Sequence, residues 1–141
     1  MELIENLTYN FCILKFKDTK PIPFIKVLEN YPYSYLERLS YLDLSNIEFI
    51  DFVLERIQID VFERGSYFHL EQYQATFIEV YPQYCEVYEQ FTPNILFKLD
   101  TQLLIKLLSD WKEFLKDFYA KGWVCVPRDQ VKPEFLTQLD K

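Results

Sequence analysis

Two glutamates in a predicted β-hairpin are the residues of this chain with the clearest potential for chemistry. Residues 76–81 and 84–91 are rich in aromatic and β-branched residues and flank Pro82-Gln83, which predicts two antiparallel strands joined by a turn. That register places Glu79 directly opposite Glu86, whether the loop has two residues or four. The four-residue loop is favoured because proline cannot supply the positive φ of the tightest hairpin turns. Two carboxylates directly opposite one another repel, and such a pair could bind a basic partner or act as a catalytic acid pair.

The predicted hairpin has one apolar face and one mixed face. Ile78, Val80, Cys85 and Val87 alternate onto the face expected to join the core. The opposite face combines acidic and aromatic side chains, namely Phe77, Glu79, Tyr81, Tyr84, Glu86 and Tyr88.

Three interpretations of the mixed face are open. Lys or Arg on a neighbouring strand pairs with the two carboxylates, or they are simply solvated. Alternatively, the face binds a basic partner, because carboxylates and tyrosines suit Arg and Lys through charge-assisted hydrogen bonds and cation–π contacts. A catalytic pair, as in a small carboxylate-dyad hydrolase, is the least favoured, because no cleft-forming or glycine-rich segments surround it. On the binding interpretation, the contact residues are Glu79, Tyr81, Tyr84, Glu86 and Tyr88.

Other catalytic and cofactor sites have little support. His69 is the only histidine, and Cys12, Cys85 and Cys125 lie in apolar stretches without a Cys-x-x-Cys pair, so neither a metal site nor a cofactor is expected. Reduced, buried thiols are the expected state of these cysteines. With only two glycines, the chain has no phosphate-binding glycine loop. We therefore expect a protein that is not an enzyme.

Composition indicates the kind of partner. The 141 residues carry a net charge of −7, which disfavours nucleic acid and favours a basic protein. No apolar run approaches the roughly 20 residues needed to cross a bilayer, and the first residues lack the basic start of a secretion signal. No membrane contact is expected, and the predicted location is cytoplasmic.

The clearest element is a helix over residues 100–122. Asp100 begins it as a cap and Gly122 ends it. Its apolar stripe recurs every three or four residues, which predicts a buried face made of Leu104, Leu107, Leu108, Trp111, Leu115 and Phe118.

A second helix is predicted over residues 45–63, although residues 57–63 also alternate as a strand would. Ser45 and Glu48 have the spacing of a capping box, and Arg64-Gly65 provides a stop. Glu48, Asp51 and Glu55 fall on its polar side, either as a solvated face or as a second acidic contact patch.

Shorter elements complete the prediction. Strands are expected at residues 8–17, 67–73, 95–99 and 123–126, and short helices at 24–30, 34–42 and from 132 onwards. No linker or repeat divides the chain, so residues 1–141 are predicted to form one α+β domain. Its mostly antiparallel sheet is covered on one face by helices.

Several segments together suggest a family. They are the helix entry Ser45-Asn-Ile-Glu-Phe-Ile-Asp-Phe52, the aromatic strands Phe77-Ile-Glu-Val-Tyr81 and Cys85-Glu-Val-Tyr88, and a Leu-x-x-Trp-x-x-Phe-Leu pattern ending at Leu115. With these segments, residues 44–119 resemble small bacterial immunity proteins, the cognate antitoxins of polymorphic or contact-dependent growth-inhibition toxins. The resemblance does not extend to residues 1–43 or 123–141.

The resemblance implies a cytosolic, non-enzymatic protein that binds a toxin domain, such as a nuclease, and blocks it. It carries over no individual binding residues. An adaptor or structural module that binds another protein remains a further alternative.

Overall fold

The chain folds as a mixed α+β structure with two sheets. A computed structural model describes residues 3–14, 22–29, 32–40, 46–72, 76–89 and 94–120. In chain order the elements are β1 (Leu3–Ile4), β2 (Tyr9–Leu14), β3 (Ile22–Val27), a 3-10 helix (Tyr33–Ser40), α1 (Ile47–Arg56) continued by a π-helix (Ile57–Glu63), β4 (Phe68–Gln72), β5 (Thr76–Val80), β6 (Tyr84–Glu89), β7 (Ile95–Asp100) and α2 (Thr101–Ala120).

The larger sheet has five strands in the order β1-β7-β6-β5-β4, and β2 and β3 form a second, two-stranded sheet. All pairs are antiparallel except β1 with β7. The predicted fold class is therefore confirmed. Among the described helices, none combines the length and the apolar character needed to span a membrane.

Helix α2 packs its apolar stripe against the larger sheet. Its buried side chains and those of the sheet's inner face, such as Ile78 and Val87, belong to one core. An Asp100 carboxylate oxygen accepts a hydrogen bond from the Gln102 N–H at 2.7 Å, which caps the first turn as expected. All six residues of the predicted stripe are buried. The predicted end at Gly122 lies outside the described residues.

The hairpin of β5 and β6 has the predicted register. Val80 pairs with Cys85, Glu79 with Glu86, Ile78 with Val87 and Phe77 with Tyr88. At the tip, the Tyr81 N–H donates to the Tyr84 carbonyl at 2.9 Å. The four residues predicted for the inner face are inaccessible to solvent, namely Ile78, Val80, Cys85 and Val87.

The helix predicted at residues 24–30 is wrong. Ile22–Val27 is a strand that pairs along its whole length with β2. Pro23 fits the first turn of a helix, but it is also tolerated in a strand with a free edge, and here a partner strand supplies the ladder. Burial of Phe24, Ile25 and Val27 on this pairing outweighs the local helical signal.

The short helix predicted at residues 34–42 is a 3-10 helix, Tyr33–Ser40. Its Glu37 carboxylate accepts from the Val27 N–H at 2.9 Å and lies 3.6 Å from Lys26 Nζ, so it ties this helix to β3. Leu36 and Leu39 anchor the helix in the core.

Helix α1 begins one residue later than predicted. Asn46, rather than Ser45, is the N-cap, and its side-chain oxygen accepts from the Glu48 N–H at 2.8 Å. Residues 57–63 are helical, so the strand alternative is wrong there: Ile57 and Val61 are buried four residues apart. Gly65, with φ of 67°, allows the chain to leave the helix.

Several predicted segments lie outside the described residues. They are residues 15–17 and 73 of predicted strands, 30 and 41–42 at the ends of predicted short helices, 90–91 at the end of the hairpin, the strand at 123–126 with Cys125, and the helix from 132.

Candidate protein-binding face

Strands β4 to β7 present a mixed face on the side of the sheet away from α2. We call this surface the outer face. Strand alternation and register arrange it in cross-strand rows: His69, Glu79, Glu86 and Lys98 form the central row. Tyr84 and Asp100 are paired on one side of that row, and Glu71, Phe77 and Tyr88 form the row on the other side. Together with Tyr81, whose ring lies against that of Tyr84, the structure brings together all five residues predicted on the hairpin.

Glu79 is held by its neighbours. The Tyr88 hydroxyl donates to Glu79 Oε1 at 2.6 Å, and His69 Nδ1 lies 3.1 Å from the same oxygen. Burial, together with the bond to Glu79, raises the pKa of Tyr88. The repulsion expected between Glu79 and Glu86 is therefore offset on the Glu79 side by a tyrosine and a histidine.

Glu86 has a different environment. Its carboxylate makes no hydrogen bond or ion pair with another described residue, although Lys98 is its direct neighbour on β7. The Lys98 ammonium instead lies over the Tyr84 ring, with Nζ 4.9 Å from the ring centroid. Glu86 is therefore the carboxylate in the central row that remains available to an external cation.

Tyrosine rings continue the surface around the hairpin tip. The ring centroids of Tyr67 and Tyr81 are 6.0 Å apart, and those of Tyr81 and Tyr84 are 5.1 Å apart. Burial is the main cause of a raised pKa for Tyr81, and the charges of Glu79 and Glu86 add to it. The negative field of both carboxylates therefore reaches this ring.

Thr101 fixes the position of the tip. This first residue of α2 is fully buried, and its hydroxyl donates to the Tyr81 carbonyl at 2.6 Å. Cys85 Sγ lies 3.6 Å from the same hydroxyl. This hydrogen bond joins the start of α2 to the loop of the β5–β6 hairpin. The rings of Tyr81 and Tyr84 therefore flank a loop that is held in place by the rest of the fold.

Sequence reasoning missed several contributors to this face. His69 and Lys98 lie on it because of strand pairing. Tyr67 joins it through its ring contact with Tyr81, and Thr101 supports the hairpin tip from the opposite side. The alternation of β7, in which Phe97 and Leu99 are buried, is a signal that could have placed Lys98 on the outer face.

The second predicted patch lies on the helical side of the sheet. Glu48, Asp51 and Glu55 are exposed on α1, as expected for its polar side. Asp51 forms an ion pair with Lys112 of α2 at 2.5 Å, which neutralises part of the patch. The structure does not join these residues to the outer face.

The thiols and the largest described groove do not form a catalytic arrangement with the two glutamates of the hairpin. Burial raises the pKa of Cys12, and raises that of Cys85 to about 12, so both thiols stay protonated near neutral pH. A groove of about 700 Å³ between the β1–β2 connection and α2 includes Glu5, Tyr9 and Asp110 but neither glutamate of the hairpin. Within the described ranges, no cluster of three metal-ligating side chains is found.

Comparison with known proteins does not assign the chain to a family. No family model, curated protein or solved structure matches it significantly.

Proposed function

We propose that this protein is a non-enzymatic, cytoplasmic immunity protein that binds a basic cognate toxin domain, such as a nuclease, and occludes its active site. The supporting observation is the composition of the outer face. It carries the carboxylates of Glu71, Glu79 and Glu86 among aromatic rings, with Lys98 as the lysine in its central row. On this proposal the protein needs no cofactor.

The chemistry of the face suits a protein partner. Tyrosine contributes large, rigid contact area and is enriched at interfaces, and carboxylates attract arginine and lysine. A net charge of −7 would also speed encounter with a basic domain. Carboxylates can occupy the cationic groove in which a nuclease holds phosphates, so occlusion and charge complementarity would act together.

The area of the outer face indicates how much of an interface it could supply. Four strands about 4.8 Å apart and about five residues long cover roughly 300 Å² in projection. A stable complex buries about 800 Å² on each partner. The outer face therefore fits the centre of an interface, and the partner would also contact neighbouring segments.

Glu86→Lys provides the sharpest test. Because Glu86 makes no bond to another described residue, its reversal should leave the fold intact and weaken binding to a toxin domain encoded by a neighbouring gene by about tenfold or more. Glu113→Lys is the matched control: it changes the charge equally at an exposed site on α2, on the other side of the sheet from the outer face.

Binding would be measured by calorimetry, protection by growth during co-expression of the toxin domain, and folding by circular dichroism. Equal affinity of Glu86→Lys and the wild-type protein would refute the assignment of this face. Absence of growth rescue by the wild-type protein, with binding retained, would favour an adaptor module instead.

A further inference from the structure

We infer that Tyr84 and Glu86 form a site for an arginine side chain of the partner, which Lys98 occupies in the free protein. This inference rests on the proposed function, because it specifies how the basic partner is recognised. The site consists of one aromatic ring and one carboxylate that are two residues apart on β6 and therefore share the outer face.

The position of Lys98 shows that this surface holds a cation. Its ammonium nitrogen lies 4.9 Å from the Tyr84 ring centroid, within the roughly 6 Å that defines a cation–π contact. Lys98 has Glu86 as its cross-strand neighbour, yet no ion pair between described residues includes either side chain. The ring is thus occupied while the carboxylate beside it is unpaired.

The chemistry of the two groups favours arginine. A guanidinium is planar, so it can stack on the Tyr84 ring and at the same time donate N–H groups to a carboxylate at its edge. An ammonium on a flexible stem lacks that planar fork, and Lys98 itself contacts the ring without pairing with Glu86. The adjacent Tyr81 ring, 5.1 Å from Tyr84, extends the stacking surface.

The neighbouring carboxylate does not offer an equivalent site. Glu79 already accepts from the Tyr88 hydroxyl and lies beside His69, and its side chain is 19% exposed. A cation arriving at Glu79 would have to displace these contacts. At Glu86 it has to displace the Lys98 ammonium alone from the Tyr84 ring.

Lys98 therefore acts as an internal competitor. It would reduce the affinity for single cations and favour a partner whose arginine is held in place by the rest of an interface. Removing its charge should strengthen binding of an arginine-containing probe, whereas a lysine with only a structural role would not have this effect.

The experiment uses two synthetic probes, an Arg-Gly repeat peptide and the same peptide with lysine in place of arginine. Binding is followed through the backbone amide NMR signals of β6, which remain in every variant, with the Glu113→Lys protein as a control. We expect the arginine peptide to bind more tightly than the lysine peptide. Lys98→Met keeps the apolar stem, and it should tighten binding of the arginine peptide about two- to fivefold.

Two tyrosine variants separate the ring from the hydroxyl. Tyr84→Phe should retain binding of the arginine peptide, and Tyr84→Leu should weaken it by about fivefold. Unchanged or weaker binding in Lys98→Met would overturn the inference, and that variant keeps the test valid even if Tyr84→Leu fails to fold.

The outcomes also separate this inference from the proposed function. Toxin binding that depends on Glu86 but not on Lys98 or Tyr84 would retain the function and reject the arginine site. Arginine binding at Tyr84 without any binding of the toxin domain would retain the arginine site and reject the proposed function.

Discussion

The bond between Thr101 and the hairpin tip gives a quantitative prediction for Thr101→Val. The substitution keeps the size and branching of the side chain but removes the hydroxyl that donates to the Tyr81 carbonyl at 2.6 Å. A buried acceptor left without its donor costs about 1–3 kcal/mol. Since Tyr81 is only half-buried, water would partly replace the donor, and we expect a loss of about 1–2 kcal/mol.

Urea unfolding measures this loss as a lower midpoint with an unchanged slope. Amide hydrogen exchange gives the local readout: the N–H of Tyr81, which bonds across the tip, should exchange faster in Thr101→Val. Thr101→Ser is the matched control. It keeps the hydroxyl, so tip exchange should stay close to wild type even though the missing methyl lowers global stability by roughly 1 kcal/mol.

A Thr101→Val protein with wild-type stability and wild-type exchange at the tip would refute the reasoning. It would mean that the hairpin supports itself and that Thr101 is merely buried. Equal acceleration of tip exchange in the serine and valine variants would point instead to packing of the methyl group as the important contact.

Two further predictions concern α2. Leu107→Ala should lower the free energy of unfolding by about 2–5 kcal/mol, because Leu107 is fully buried. Leu103→Ala, at a half-buried position, should lower it clearly less. Equal losses of the two variants in urea unfolding would contradict the assigned core. Asp110→Asn should be destabilising at neutral pH. Burial would raise the pKa of Asp110, but hydrogen bonds from Lys106 and Tyr9 outweigh it and the pKa is lowered. The stabilisation from the ionised Asp110 carboxylate is present above the unfolded-state pKa and is lost as pH falls through the lower folded-state pKa. The urea midpoints of variant and wild type should therefore converge in acid. A difference that stays constant with pH would argue against the ionic contribution.

The elements that were predicted correctly are those whose sequence pattern lies within a single segment. Helix α2 shows a helical period over its whole length together with a capping aspartate, and it buries the residues expected. The β5–β6 register follows from symmetry around Pro82-Gln83, because moving one strand by a single residue would turn Ile78 and Val80 towards solvent.

The incorrect or missing elements depend on distant partners. Strand β3 was predicted as a helix because Pro23 suits a helix start, whereas pairing with β2 decides its conformation. Strand β1 has only two residues and pairs with β7, which lies far along the chain, so no local pattern indicates it.

The candidate site was also predictable only where its pattern is local. Register within one hairpin placed Glu79, Glu86 and their tyrosines on a common face. The contacts of Glu79 with His69, of Tyr84 with Lys98 and of Tyr81 with Thr101 require the order of the strands and the position of α2. Side-chain spacing within one segment does not contain that information.

The pairing of β1 with β7 has a consequence for how the protein folds. Leu3 and Ile4 pair with Lys98 and Leu99, so every element from β2 to β6 lies in the loop that this contact closes. Closing so long a loop for two residue pairs is entropically unfavourable early in folding, whereas the β5–β6 hairpin closes a short one. We therefore expect the hairpin, β7 and α2 to form the folding nucleus and β1 to join last. Strand β1 precedes β7 and α2 in the chain, so among the described strands it would dock last, after the ribosome has released α2.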